Sequence, residues 1–382
     1  MPSPRRVFLN AANVTASGPT VLVANLLPAL YTAAPEVEFT TLIPESPPLL
    51  DAAQAVNSRV FTRRPRGGWR NDLGRLWDLH VGLPQAVGAS GAEVCLTLGD
   101  VGPRRVPCRH VVFLHNPLFV YSPDDLAGDD DWSPIKRRYL IWQFQRSLAG
   151  ASDVVVQTPV MRRRLRQRYG VDESRARVIP QPVPQHVSPS TAIPGRSPLA
   201  ACPKPLRLLF LAAHYPHKNH RVLAGVAREL RSRGLDRSTQ IFVTLGGQAP
   251  PEVRALLDGE TDVLTDVGRL APATVPEALA DATALFLPTL VESYGLIYLE
   301  AMACRRPILT SDRDFARWMC GDAALYFDPL DPRSIVDAIA TLASFARDSD
   351  VSARASARLG EFPREWSSVA AGFLDTLGVA PA

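Results

Sequence analysis

Short β-branched and aromatic runs alternate with longer stretches whose apolar positions recur at helical spacing, from one end of the chain to the other. This alternation is the pattern of parallel sheets built from βαβ units, so the expected class is α/β. In the first half it predicts strands at 6–10, 37–43, 58–62, 94–98, 110–114, 153–157 and 177–180, with the clearest helices at 20–31, 135–149 and 159–169. Between 181 and 205 the pattern stops. Prolines at 182, 184, 189, 194, 198, 203 and 205 exclude regular structure there and favour an extended connector. The alternation restarts with strands at 206–212, 240–245, 262–267, 284–287, 307–310 and 324–327, and helices at 220–233, 251–257, 274–280, 295–304 and 332–345. The reading is two Rossmann-like, doubly wound domains of similar size, 1–185 and 206–360, joined by a Pro-rich linker at 186–205. Ligands of such sheets bind beyond the carboxyl ends of the strands, which points to an inter-domain cleft and to the loops after each strand.

Length agrees, because 382 residues at about 150 per domain give two or three domains. Hydrophobic residues at 46% and charged residues at 21% exclude a disordered or fibrous chain. Proline is the outlier at 35 residues, against a typical ~5%, and its positions should mark boundaries. A net charge of +4 is too weak to imply a nucleic-acid partner. The cysteines at 95, 108, 202, 304 and 320 form no C-x-x-C pair, so neither a disulfide framework nor a metal site is expected, and a reducing cytoplasm fits. The N-terminus lacks the apolar region of a signal peptide, and no segment approaches the ~20 apolar residues of a spanning helix. The expected location is cytoplasmic, with any membrane contact peripheral and at the inner face.

Several chemistries fail on spacing. There is no P-loop, no G-x-G-x-x-G opening a helix, no H-E-x-x-H and no G-x-S-x-G. The most informative stretch runs from Leu287 to Ala303. A buried strand ends at Pro288, a loop carries Glu292, and a helix is expected to begin near Tyr294 with Ser293 as its N-cap. Amides of that first turn suit a diphosphate, Gly295 lets backbone approach a ligand, and Glu300 reaches past the phosphates towards sugar hydroxyls. The plainer alternative is a capped helix with two solvated glutamates.

Glu292 and Glu300 have seven residues between them inside P-T-x-x-E-S-Y-G-L-x-x-L-E-A-M-A, which resembles the E-x7-E signature of the retaining glycosyltransferases of family 4, enzymes of GT-B fold. The resemblance covers essentially the whole second half. It implies a metal-independent, cofactor-free transfer of a sugar from a nucleoside diphosphate sugar to a hydroxyl acceptor. Carried over by position, Glu292 contacts the donor sugar, Glu300 holds the ribose, and the amides of Ser293, Tyr294, Gly295 and Leu296 bind diphosphate and sugar. The segment Tyr215-Pro216-His217-Lys218-Asn219 resembles the Y-P-H-K-N variant of enzymes that build bacterial surface polysaccharides, which assigns phosphate binding to Lys218 and implies a lipid-linked glycan as acceptor. One departure matters. The family's usual arginine, five residues before this lysine, is Ala213 here, so His214, Arg269 or a first-domain arginine supplies the second charge, or activity is reduced or lost.

Gly268-Arg269-Leu270 sits where family members present backbone to the nucleobase, although a plain turn explains it nearly as well. The loop 14–20, with Gly18, resembles the family's first glycine-containing loop facing the donor. His115, at the end of the 110–114 strand, is either a hydrogen-bonded structural group or the family's strand-end histidine beside the transferred sugar. Gly99-Asp100 reads equally as a cleft residue pair or a turn. Arginine clusters at 63–70 and 162–168 are either solvated faces or a surface for anionic lipid. Segment 362–370 resembles the family's last helix, which crosses back to the first domain, with Trp366 as a packing anchor. Two rival functions remain at this point, a nucleotide-sugar epimerase of the same fold and a non-catalytic binding partner of a related transferase.

Overall fold

Strands form where every side chain in a short run is buried: Val94–Thr97 and Ala284–Leu287 have no exposed position. Covered on both faces, such runs build parallel sheets. The computed structural model describes residues 5–15, 17–63, 77–128, 132–188, 190–347 and 349–380. Of the 63–70 cluster, the residues from Arg64 onward lie outside the described residues, as does Ala16. The chain divides into two units, one of Met1–Val120, Trp132–Pro182 and Pro363–Ala382, the other of Tyr121–Asp131 and Val183–Phe362. Residues 121–131, which the sequence alone places with the first half, cluster with the second unit, where the Tyr121 hydroxyl donates to Asp314 at 3.0 Å.

The first unit contains β1 (Arg6–Asn10), α1 (Ser17–Ala33), β2 (Glu38–Pro44), α2 (Pro47–Ala52), β3 (Ser58–Arg63), α3 (Leu83–Ser90), β4 (Val94–Thr97), β5 (Arg109–Leu114), α4 (Pro134–Gly150), β6 (Asp153–Val156), α5 (Pro159–Tyr169) and β7 (Ala176–Val178). Its strands order as β3-β2-β1-β4-β5-β6-β7. Every pairing is parallel, with Val7 opposite both Phe39 and Val94 at the centre. The order reverses between β1 and β4.

The second unit contains β8 (Leu206–Phe210), α6 (Val222–Ser232), β9 (Thr239–Val243), α7 (Pro251–Gly259), β10 (Leu264–Asp266), α8 (Val275–Asp281), β11 (Ala284–Leu287), α9 (Leu296–Ala303), β12 (Ile308–Ser311), α10 (Asp314–Cys320), β13 (Ala324–Phe327), α11 (Pro332–Phe345) and α12 (Ser349–Gly360). Its order is β10-β9-β8-β11-β12-β13, again parallel, reversing between β8 and β11. The last helix, α13 (Trp366–Leu377), belongs to the first unit. There Phe373 meets Phe113 edge-on at 5.3 Å, and Trp366 packs half-buried against the core.

The surplus proline has a local explanation. Helices α2, α4, α5, α7 and α11 begin on Pro47, Pro134, Pro159, Pro251 and Pro332, where the missing N–H has no partner to lose and φ is already helical. The same effect corrects the expectation of a fully irregular linker. Pro198 opens a 3-10 turn, Pro198–Ala201, capped by the Ser197 hydroxyl. Asp281 anchors it by accepting from the Gly195 amide at 2.6 Å, the Ser197 amide at 2.9 Å and the Ser197 hydroxyl at 2.7 Å. Among the described residues no helix is long and apolar enough to cross a membrane.

Candidate active site

A reversal of strand order leaves a crevice between two loops that diverge to opposite faces of the sheet, so ligands of open α/β sheets bind there. In the second unit those loops follow β8 and β11, and they carry Lys218 and Glu292 respectively. Three ties join them. The Asn219 side-chain amide donates to the Pro288 carbonyl at 3.0 Å, the Leu290 amide donates to the His217 carbonyl at 2.8 Å, and the Lys218 ammonium donates to the Glu292 carboxylate. Asn219 adopts a left-handed φ of 63°, closing the Pro216–Lys218 turn, and its amide reaches a third segment through the Pro329 carbonyl at 2.8 Å.

Burial raises the Glu292 carboxyl, but the Lys218 charge and hydrogen bond, His217 and the Ser293 amide together outweigh it and hold the group below its ordinary value. Glu292 is therefore an anion at neutral pH. His220, close by, stacks on Phe210 with ring centroids 4.4 Å apart. Burial, with the charges of His214, Lys218 and His217, lowers its pKa to about 3, so it remains neutral.

Helix α9 begins at Leu296 with Gly295 as N-cap, at φ 82°, and no side chain caps it. This corrects the expected start near Tyr294 and the N-cap role of Ser293. The Ser293 amide instead donates to Glu292 Oε1 at 3.2 Å. The Tyr294 ring is buried between Trp318 and Phe362, with centroids 6.3 and 6.2 Å away, which leaves only its backbone for a ligand. A Cβ on Gly295 would lie 2.7 Å from the Tyr298 ring. The Tyr298 hydroxyl bonds the Thr310 hydroxyl at 2.7 Å, fixing α9 to β12. On the same helix the Glu300 carboxyl has no hydrogen-bond or ion-pair partner among the described residues, and burial pushes it up to about 7.

A second carboxylate organises the neighbouring loops. Asp266 ends β10, and its Oδ1 accepts from the amides of Leu245, Gly246 and Gly268 at 3.0, 3.1 and 3.0 Å. It thereby holds the loop after β9 against the turn that carries Arg269 and Leu270. Arg269 is exposed and unpartnered among the described residues, and Ala213 is exposed beside the Lys218 loop. Sequence reasoning missed Asp266, whose only outward signal is its place two residues before Gly268, which adopts φ 77°.

In the first unit the reversal lies between β1 and β4. The two loops touch closely, since a Cβ on Gly99 would stand 3.1 Å from the Asn13 Cβ. Gly18 lies in the first turn of α1 rather than in the preceding loop where the sequence puts it, and space around it is open. Asp100, at φ 64°, accepts from the amides of His115 and Asn116 at 2.8 and 3.0 Å. His115 Nε2 meets the Leu98 carbonyl at 3.0 Å, which makes Nε2 the protonated nitrogen, and Nδ1 faces Asp100 at 3.6 Å. The ring is thus fixed in orientation.

Comparisons with known proteins bear on the family and the fold. The sequence model described as Glycosyltransferase Family 4 matches residues 16–186, and that of Glycosyl transferases group 1 matches residues 205–344. A D-inositol 3-phosphate glycosyltransferase of Kineococcus radiotolerans is 30% identical over 322 residues, 78% of this chain and 73% of that protein. Among solved structures, a sucrose-phosphate synthase from Thermosynechococcus elongatus superposes with a TM-score of 0.73 at 16% identity, covering 97% of this chain and 98% of that one. HepE of Anabaena, in complex with UDP and glucose, gives 0.64 at 14% identity over 98% and 99%. With the matches spanning both units, the chain belongs to glycosyltransferase family 4 and has the GT-B fold.

Proposed function

We propose that this glycosyltransferase moves a sugar from a nucleoside diphosphate sugar to a hydroxyl of a lipid-linked glycan, with retention at the anomeric carbon and without a metal. The observation that carries the donor reading is the pairing of Lys218 with Glu292 at the switch point, a few residues from the open amides of α9 and from the Glu300 carboxyl, which has no partner among the described residues. Lys218 and the amides of Ser293 to Leu296 take the diphosphate. Glu300 accepts from the ribose hydroxyls, and the backbone at Gly268, Arg269 and Leu270 meets the base. Glu292 orients the sugar. Arg269 is the cation that compensates for Ala213.

In the reaction the bond from the anomeric carbon to the diphosphate oxygen breaks, and a bond to the acceptor oxygen forms on the same face. The acceptor proton passes to the departing diphosphate oxygen. Charge accumulates on that diphosphate, so fixed donors aimed at it lower the barrier directly. Basic residues of α4 and α5 support an acceptor carried by an anionic membrane.

Calorimetry of the protein with common nucleoside diphosphate sugars tests the donor site. Lys218→Ala and Glu300→Ala should each weaken binding at least about tenfold, as expected for losing a charge-assisted hydrogen bond. Unchanged affinity in both would refute the assignment. Anomeric configuration of the product by NMR tests retention, and activity in EDTA tests metal independence. Because the Kineococcus relative is named for inositol 3-phosphate, that compound is the comparison acceptor beside a lipid-linked one. Ala213 favours the non-catalytic reading as the rival, which predicts donor binding without transfer to any acceptor.

A further inference from the structure

Helix α4 buries one face through Arg137, Gln143, Phe144, Ser147 and Leu148. The opposite face is anomalous for a soluble surface. Ile135 is 84% exposed, Tyr139 41% and Trp142 48%, and their spacing sets all three on one stripe. Large apolar side chains scattered singly over a surface need no explanation, but an aligned set does. The Tyr139 and Trp142 rings stand 6.4 Å apart, and the Arg146 guanidinium lies 4.9 Å from the Trp142 ring, which continues the stripe by one more turn. Lys136 and Arg138 are exposed beside it.

Charge is predominantly positive across the region. Between Trp132 and Val171 there are nine lysines and arginines and one acidic residue, Asp153, which is paired with Arg109 at 2.7 Å; Asp172 and Glu173 follow directly, Glu173 pairing with Arg166 at 2.8 Å, and Arg137 is buried. Strands β4, β5, β6 and β7 step in one direction, so right-handed crossovers put α4 and the arginine-rich α5 on the same face of the sheet. Phe144 of α4 packs on Tyr169 at the end of α5 with centroids 5.3 Å apart. Because α4 runs against the strands, its first turn, with Ile135, stands at the sheet edge where β5 ends before His115.

We propose that the outer face of α4 docks on a bilayer containing anionic phospholipid, with Ile135, Tyr139 and Trp142 entering the interfacial layer and Lys136, Arg138 and Arg146 meeting head-group phosphates. Aromatic rings with polar tips favour that depth, and an aliphatic anchor flanked by cations is the composition of helices that lie in the membrane plane. A second copy of the chain fits worse, since a two-fold contact would set this basic face against itself. The proposal rests on the lipid-linked acceptor reading and names the surface that would bring the enzyme to it.

The test is co-sedimentation of the full chain with phosphatidylcholine vesicles, with and without phosphatidylglycerol. Binding should be at least about tenfold tighter with the anionic lipid and weaken as salt rises, because each cation near such a surface contributes roughly fivefold. Ile135→Ser combined with Trp142→Ser, and separately Lys136→Glu combined with Arg138→Glu, should each reduce it about tenfold or more. Donor affinity measured by calorimetry should stay unchanged in both variants, which separates failure of docking from failure of the donor site. Equal binding by wild type and variants overturns the proposal. So does a wild-type dimer that the variants dissolve with no change in vesicle binding, which would mark the face as a self-interface.

Discussion

The Lys218 ammonium and the Glu292 carboxylate meet across 74 residues of chain, at the reversal point of the second sheet. On the proposed donor reading, the cation that takes the diphosphate is therefore already held by a carboxylate before any donor arrives. The pairing fixes the long lysine side chain in place, and it keeps Glu292 ionised despite burial. Preorganisation of this kind removes ordering cost from the binding step.

The pair should show as a coupling energy. In a double-mutant cycle of Lys218→Met and Glu292→Gln, urea unfolding at pH 7 should return about 1–2 kcal/mol beyond additivity, given that both side chains are mostly buried. Because the folded-state pKa of Glu292 lies below its ordinary value, this stability is present above the ordinary glutamate range and disappears as pH falls through the folded value. Additive effects at pH 7 would show that the contact does not contribute.

Glu300 should behave in the opposite sense. Its carboxyl is raised to about 7 by burial, with no partner among the described residues, so folding disfavours the charged form. Stability from this group is full below the unfolded pKa and is lost as pH rises through about 7. Glu300→Gln should therefore be more stable than wild type by about 1–3 kcal/mol at pH 8 and no more stable at pH 4. Donor affinity in the wild type should fall as pH drops below 7, where the carboxyl protonates, and the Gln variant should bind weakly at every pH. Thermal melts and calorimetry across that range decide it.

The alternation of strands and helices was legible because buried parallel strands leave long apolar runs, and α5, β11, β13 and α11 fall where periodicity puts them. Helices α2, α3, α10 and α12 were not anticipated. The first three span eight residues or fewer, too short for a helical period to repeat convincingly, and α12 is largely polar. At the site, the E-x7-E spacing and the Lys218 turn were readable as local strings. The ties that hold them were not, since Asn219 to Pro288 and Asp266 to Leu245 are contacts between a side chain and a distant backbone group, which any residue type can offer. The burial of the Tyr294 ring likewise depends on Trp318 and Phe362, which come from elements later in the chain.

Asp266 supports a prediction of its own. Three amides converge on one oxygen, so Asp266→Ala leaves them without a partner and should destabilise the fold by about 2 kcal/mol. Asp266→Asn keeps an acceptor oxygen and should restore most of that. If the two loops form the base site, the Ala variant should raise KM for the donor several-fold with kcat less affected, and Asn should rescue KM. A KM unchanged in the Ala variant would confine Asp266 to a structural role.

Gly295 combines two constraints that a matched glycine separates. At φ 82° any L side chain is strained, and a Cβ there would also strike the Tyr298 ring at 2.7 Å. That ring cannot swing away, because it is 1% exposed and its hydroxyl is bound to Thr310. Gly234 has a similar φ of 68°, and a Cβ added there would meet nothing within 4 Å. Gly234→Ala should therefore cost about 1 kcal/mol, the left-handed penalty alone, and Gly295→Ala about 2–4 kcal/mol. The excess must be relieved by shifting the first turn of α9, so Gly295→Ala should also weaken donor binding while Gly234→Ala leaves it intact. Equal stability losses in the two variants would mean that Tyr298 yields and that the glycine serves backbone conformation only.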